Sequence, residues 1–381
     1  MSANLPLDGV LVADFTRVLA GPLCSQLLAD AGARVIKVEE PLRGDETRRW
    51  GPPFVDGVSA YFLSINRNKE SLALDLKADG EIARKLIERA DIVLDNFLPR
   101  QRVALLGDVR AINPRAVHCS ISGFDSDTPD ANTSGYDLLA QAGAGLMAIT
   151  GEADGEPMKV GVALSDVLTA HHAFGAVCAA LVARERTGEG ASIEVSLFSA
   201  TLASLVNVAQ SALMRGNEAQ RYGNAHPSIV PYQVFHGSDR AFALGAGTDR
   251  HYEQLCEQVL DRADLARDER FRTNAGRVQH REELVALLDA IFRQREAHEW
   301  VERCKHAAVP ASLVQGVKEA LESEAGRALV VETEHARIGR YRTVRNPVKL
   351  DGERLPVRSG APELGQDTER ILAELNARSR S

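Results

Sequence analysis

The sequence predicts an α/β protein: a large domain built on a doubly wound, mostly parallel, Rossmann-like sheet, joined to a smaller α+β domain. Three observations predict it. Short apolar runs of strand character alternate with helical segments through the first hundred or so residues, which is the signature of parallel strands linked by crossover helices. The length of 381 residues exceeds that of a usual single domain. Beyond residue 225 the rhythm changes to a single strand followed by consecutive helices, so the large domain is assigned to 1–224 plus 326–381 and the small one to 225–325.

The elements follow in order. The apolar run Val10 to Phe15 is the first strand, and the turn Thr16 to Pro22 opens a helix that runs through Ala31 and stops at Gly32. Arg34 to Glu39 is the second strand. A loop with Arg43, Arg48, Arg49, Pro52 and Pro53 leads to a third, Ser71 to Leu76. Asp79 to Arg89 places Ile82, Leu86 and Ile87 on one helical side. Strands at Ile92 to Phe97 and Ala116 to Ser122 follow. A long apolar helix begins beside Asp166 and ends near Gly188, then come a strand at Ser192 to Ser196 and a connecting helix from about Ser199 to Met214. In the small domain, Ala241 to Gly245 is a strand, and helices are expected at roughly 249–260, 277–295 and 297–308. The tail from Asn346 is rich in Pro and Gly until a final helix, Thr368 to Ala377, expected to pack back on the large domain. No internal repeat or low-complexity segment interrupts the chain.

Composition narrows the function. A net charge of −8 argues against nucleic acid or an anionic membrane as the main partner, so an anion site must be local. Five scattered cysteines without a C-x-x-C pair indicate a reducing compartment, and no metal-ligand spacing is present. The N-terminus lacks a charged segment followed by an apolar one, and no apolar stretch is read as a membrane span. The expectation is a cytoplasmic protein that spans no membrane and holds no metal.

In doubly wound sheets, ligands sit outside the C-terminal ends of the strands, which directs attention to the loops after Phe15, Leu76, Phe97 and Ser122. The first of these reads TRVLAGP and carries no G-x-G-x-x-G, so nicotinamide and flavin are disfavoured. No G-x-x-x-x-G-K-[ST] cradle and no G-x-S-x-G elbow occur either. Asp166 stands out as an acid at the start of the long apolar helix. By position alone it reads as a residue complementing the helix dipole.

Six segments change that reading: DFTRVLAGPLCSQLLADAGARVIKVEEP, GDETRRWGPP, YFLSINRNKESLALDLK, ADIVLDNFLP, NPRAVHCSISGF and GYDLLAQAGAGLMAITGE. In this order they resemble successive motifs of the class III coenzyme A transferase family, the group that includes formyl-CoA and carnitine CoA-transferases. The resemblance is dense from Leu7 to Ser196 and continues through GNAHPSIVPYQVF, GVKEALES and PELGQDTERIL.

The resemblance implies that VGVALSDVLTA carries the nucleophile, Asp166, which would pass CoA from an acyl-CoA donor to a carboxylic acid through a covalent aspartyl-CoA thioester. It also implies CoA contacts at Val18, at the stretch Leu74, Asp75 and Lys77, and at Asn96 and Phe97, with Lys77 near phosphate and Phe97 on adenine or the pantetheine arm. Two departures mark the phosphate end. Glu40 stands where the family often has Arg after KVE, and LPRQRVALLG offers Arg100 and Arg102, one or the other of which would serve the phosphates, with Arg102 named as the CoA contact. CoA would be a substrate, with no tightly bound cofactor.

His171 and His172 are adjacent on one helix and point about 100° apart, so they are read as core or interface residues. The Arg43, Arg48, Arg49 group is interrupted by Asp45 and Glu46 and reads as a salt-bridged loop. His226 lies in the segment that resembles the substrate side of dicarboxylate-using members. Donor and acceptor are expected to be succinyl-CoA and a small dicarboxylate. An α-methylacyl-CoA racemase is the nearest rival, but that branch shows G-H-D where this chain has Gly135-Tyr136-Asp137. A non-catalytic acyl-CoA-binding protein would have no need of Asp166. The resemblance further implies an interlocked homodimer.

Overall fold

The computed structural model describes residues 5–377. The chain divides into two compact units, one comprising the chain up to Met147, Lys159–Asn217 and the chain from Ser323, the other Ala148–Met158 and Glu218–Glu322. The division lies a few residues before the expected boundaries at 224/225 and 325/326, and it transfers 148–158 to the smaller unit. The physical reason is Arg221, whose guanidinium donates to the carbonyls of Ala148, Glu152 and Gly155 and so ties that excursion to the small unit.

The larger unit holds six parallel strands, β1 (Leu11–Asp14), β2 (Arg34–Glu39), β3 (Lys69–Ala73), β4 (Ile92–Asp95), β5 (Val117–Ser122) and β6 (Ser192–Ser196). Their order is β3-β2-β1-β4-β5-β6, and every pairing is parallel. The order therefore reverses between β1 and β4, and this switch point is where such sheets open a crevice. Helices cover both faces. On one, α1 (Ala20–Asp30) contributes Cys24 and Leu28 and a long helix from Leu164 to Thr187 contributes Ala170, Ala173 and Val177 to one apolar cluster with Val12, Val35 and Ile92. On the other, α2 (Gly80–Arg89) supplies Leu86 and Ile87 and α3 (Pro99–Leu106) supplies Leu106, and the final helix Thr368–Ala377 brings Ile371 and Leu375. The tail thus closes the second face, as its amphipathic spacing predicts.

Two departures from expectation have local causes. The third strand is Lys69–Ala73 instead of Ser71 to Leu76: Asp75 accepts the Lys77 N–H and turns the chain before Leu76. Beyond α4 (Asp137–Gly143) and α5, the Leu164–Thr187 helix, the expected single connector is two helices, α6 (Leu197–Ala203) and α7 (Val206–Arg215). They meet at 77°, and Val206 at the joint has φ +35°. Contrary to the sequence reading, α5 is long and apolar enough by length and composition to cross a membrane, with a mean hydropathy of 1.4. One face of it is packed on the sheet through Thr169, Ala173, Val177 and Leu181.

The smaller unit has a three-stranded antiparallel sheet of Tyr232–His236, Ala241–Gly245 and Ala311–Leu313. Helices at Asp249–Gln254, Arg281–Phe292 and Ala297–His306 pack on it around Phe235, Phe242, Phe292 and Trp300. The expected helix at 249–260 changes to a π turn over Leu255–Val259. The expected helix at 277–295 is broken at His280 into Asn274–Gln279 and Arg281–Phe292.

Candidate active site

Two cavities lie at the carboxyl ends of the strands of the larger unit. The first, of about 580 Å³, is walled by Phe15, Leu74, Asp75, Leu76, Lys77 and Phe97, together with Lys37, Glu39, Glu40 and Asp45. The second, of about 280 Å³, is walled by Val18, Leu19, Ala20, Trp50, Asn96, Phe97, Gly123, Gly135, Tyr136 and Asp166. Arg17, Phe97 and Gln101 border both, so the two form one cleft across the β1/β4 switch point.

The structure thus gathers most of the residues singled out from the sequence. Leu74, Asp75 and Lys77 stand in the first cavity, Val18, Asn96 and Asp166 in the second, and Phe97 between them. Arg102 is not brought to either wall. Its guanidinium lies 3.7 Å from Glu194 on β6, and Arg100 is exposed on α3. Glu40 does line the first cavity, so the cations there are Arg17, Lys37 and Lys77. Lys37 is paired with Asp45 at 2.9 Å and Arg17 with Glu46 at 3.0 Å, which leaves the exposed Lys77 as the group best suited to phosphate.

Local chemistry explains how the loops present these residues. Asp95, fully buried at the end of β4, accepts the Phe97 N–H at 3.1 Å and is itself held by Ser120 Oγ at 2.8 Å and His118 Nε2 at 2.7 Å. Asn96 then grips the loop after β1: its Oδ1 accepts the Arg17 N–H at 3.0 Å and its Nδ2 donates to the Arg17 carbonyl at 2.8 Å. Gly123 after β5 and Gly135 before α4 touch backbone to backbone. A Cβ built on either would lie 2.4 Å or less from the other's Cα, so only glycine allows the approach that sets Tyr136 and Asp137 beside the cleft.

Asp166 occupies the first turn of α5. Its neighbour Ser165 donates its N–H to Asp137 at 2.8 Å, so the orphan donor of the helix start is satisfied by a different carboxylate, and the Asp166 side chain is left facing the cavity. Ala20, at the start of α1, borders the same cavity. Burial pushes the Asp166 carboxyl up to about 7, the negative field of Asp137 adds to the rise, and the backbone N–H of Ala20 opposes it. The expected preference of a helix N-terminus for the ionised form is therefore overcome by desolvation. Tyr61 senses the same region: burial first, then the field of Asp166, Asp137 and Asp45, raises its phenol to about 12.

Arg17, Ala20, Trp50 and Tyr136 were not selected from the sequence as site residues. Arg17 and Ala20 flank Val18 in TRVLAGP, so the loop itself was the available signal. Trp50 enters through a separate loop and meets Tyr61 edge-on, ring centroids 5.2 Å apart.

A half-buried carboxylate with a raised pKa, at the inner end of a cleft at the switch point of a doubly wound sheet, defines a protein suited to covalent acyl chemistry on an extended ligand. The chain matches the model of CoA-transferase family III over residues 7–368 and belongs to that family; it is a CoA-transferase. It is 40% identical over 378 residues to a succinyl-CoA:glutarate CoA-transferase of Mus musculus, an alignment covering 97% of this chain and 86% of that one. It is 37% identical over 390 residues to a succinate–glutarate CoA-transferase of Agrobacterium fabrum, covering 99% and 97%. Among solved structures, a CaiB/BaiF family protein from Brucella suis superposes with a TM-score of 0.86 at 37% identity, covering 98% of this chain and all of that one.

Proposed function

We propose that the protein transfers coenzyme A from succinyl-CoA to a small dicarboxylate, with glutarate the first candidate, through an aspartyl-CoA thioester on Asp166. The observation that carries this reading is the Asp166 carboxyl, set at the inner end of a cleft whose outer part holds Leu74, Lys77 and Phe97. The names of the relatives at 37–40% identity supply the donor and acceptor classes.

The steps balance without a cofactor. Ionised Asp166 attacks the succinyl-CoA carbonyl, and the C–S bond breaks to give a mixed anhydride and CoA thiolate. The thiolate attacks the Asp166 carbonyl of the anhydride and releases succinate, leaving aspartyl-CoA. The acceptor carboxylate attacks that thioester, the thiolate leaves, and its return to the acceptor acyl carbonyl frees Asp166. Desolvation suits the first step, because a carboxylate of raised pKa is a stronger nucleophile once ionised. Phe97 and Leu74 would take the apolar parts of CoA, and Lys77 would meet its phosphates.

A homodimer belongs to the same proposal. Val182, Val206, Leu213 and Met214 on α5 and α7 are each more than half exposed, an apolar surface suited to a second copy. We also place the protein in the cytoplasm, where five cysteine thiols persist.

The test is mass spectrometry of reactions containing succinyl-CoA and single acids. Glutaryl-CoA formed by the protein and absent with Asp166→Asn is the expected result. A new acyl-CoA formed equally by the variant would remove Asp166 from the mechanism.

A further inference from the structure

We propose that Gln141, a fully buried residue outside both cavities, is a positioning residue for transfer: through Asp137 it secures the cap that α5 lacks in its own sequence, and so fixes the helical turn that carries Asp166. The proposal rests on Asp166 as the nucleophile.

The turn needs support from outside. Helix α5 opens at Leu164, and the residue before it is Ala163, whose methyl side chain caps nothing. The first N–H groups of a helix have no partner inside it, and a capping side chain there is worth about 0.5–2 kcal/mol to the helix. Asp137, in the first turn of α4, fills the gap from elsewhere in the chain: its Oδ1 accepts the Ser165 N–H at 2.8 Å. Ser165 immediately precedes Asp166 and is fully buried. Its Oγ accepts the hydroxyl of Thr201 on α6 at 2.7 Å, so the turn is held from two sides.

Gln141 stands one turn after Asp137 on α4 and secures the other carboxylate oxygen. Its Nε2 donates to Asp137 Oδ2 at 2.8 Å, across the i,i+4 spacing that makes neighbours on a helix. Its Oε1 accepts the Val160 N–H at 2.9 Å, and Nε2 reaches the Val162 carbonyl at 3.4 Å. Residues 160–163, which lead into α5, are neither helix nor strand, and Val162 is 59% exposed. One amide therefore orients the capping carboxylate with one end and ties down the lead-in with the other. A glutamine without exposure is costly unless its amide is bonded, and a buried polar network satisfied at every member holds a single geometry. The start of α4 is itself fixed by the backbone contact of Gly123 and Gly135.

Placement matters twice over for Asp166, which attacks and is then attacked. As the nucleophile it must approach the acyl carbonyl along one line, and in aspartyl-CoA it must present its own carbonyl to the acceptor. A misplacement of about 1 Å costs on the order of 10²-fold in rate. The Leu74–Lys77 wall belongs to the first cavity, and none of the bonds of Gln141 or Asp137 touches it. Loosening the cap should therefore reduce turnover more than the binding of succinyl-CoA.

The experiment is a cycle of Gln141→Glu, Asp137→Asn and the two together, with kcat and KM for succinyl-CoA measured at about pH 8.5, above the Asp166 value of about 7, and thermal melts to show that each variant is folded. Gln141→Glu sets two carboxylates against each other across the 2.8 Å contact, and Asp137→Asn leaves one N–H donor facing another. The double variant exchanges amide and carboxylate, which rebuilds the bonds to Ser165, between the pair and to Val160. Each single variant is expected to lower kcat roughly 10-fold or more with KM changed less than about 3-fold, and the double variant to return kcat to within about 3-fold of the parent. Parent kcat in the single variants, or a folded double variant no faster than the slower single, would overturn the proposal. Where one single variant does not fold, the step from the other to the double decides in the same way. Activity retained in Asp166→Asn, run alongside, would instead overturn the reading on which it rests.

Discussion

Asp45 and Asp166 are two carboxylates of the same unit, one buried and one half-buried, and they end up on opposite sides of their ordinary value. For each, burial is the largest influence and acts upward. Asp45 is nevertheless held at about 2, because the Lys37 ammonium sits 2.9 Å away and Thr47 donates through both its N–H and its hydroxyl. For Asp166 the influential neighbour is another carboxylate, Asp137, and only the backbone N–H of Ala20 acts against the rise. Desolvation is thus common to both, and the partner decides the outcome: the paired acid braces a loop, and the other lies on the cavity wall with no counter-charge, among the described residues, acting on it.

The sharpest way to break this contrast is to remove each carboxylate in turn. Asp166→Asn is expected to reduce CoA transfer on the order of 10³-fold or more, the scale seen when a nucleophile is deleted, measured as product acyl-CoA against time. Asp45→Ala leaves Lys37 buried without its counter-charge, and denaturant unfolding should show a loss of about 3–5 kcal/mol. A variant pattern in which Asp45→Ala is inactive but fully stable would erase the distinction.

The pH dependence of stability separates the two further. The folded pKa of Asp45 is depressed, so its contribution, about 2 kcal/mol, is present above pH 4 and is lost as pH falls towards 2. Asp166 has a raised folded pKa, so its ionisation costs stability as pH rises from about 4 to about 7. Asp166→Asn should therefore be more stable than the parent at pH 8 by about 2 kcal/mol or less, allowing for partial solvation, and equal to it near pH 4. Thermal melts at both values check the sign. In turnover, kcat/KM for succinyl-CoA should rise with an apparent pKa near 7, the value set by the buried Asp166.

Smaller effects test the cleft walls. Lys77→Ala should raise KM for succinyl-CoA several-fold, and Arg102→Ala by less than about 2-fold, since Arg102 is directed at Glu194 in a partly exposed pair. Equal effects would show that the phosphate end extends to α3.

How far the sequence alone reached differs between fold and site. Strands Arg34–Glu39 and Ser192–Ser196 and the helix Thr368–Ala377 were legible to the residue, because apolar patterning and flanking glycines act locally. The break between α6 and α7 was not: ATLASLVNVAQSALM has unbroken helical spacing, and only the left-handed Val206 turns the chain. Of the residues that line the two cavities, Asp166, Asn96, Phe97 and Lys77 were singled out through motif resemblance. Arg102 follows a displaced arginine pattern and faces elsewhere, since pairing with β6 is a tertiary event that no local spacing encodes. The raised pKa of Asp166 was hidden for the same reason. Helix position predicts an ionised acid, whereas burial and Asp137, set beside it by the glycine contact of two loops, decide the balance.

The most direct test of the central claim is to incubate the protein with succinyl-CoA without an acceptor, quench it, and sequence its peptides by mass spectrometry. The account predicts CoA bound through a thioester at Asp166, discharged on adding glutarate and absent in Asp166→Asn. An unmodified Asp166 peptide under conditions of full turnover, or an adduct on another residue, would contradict it.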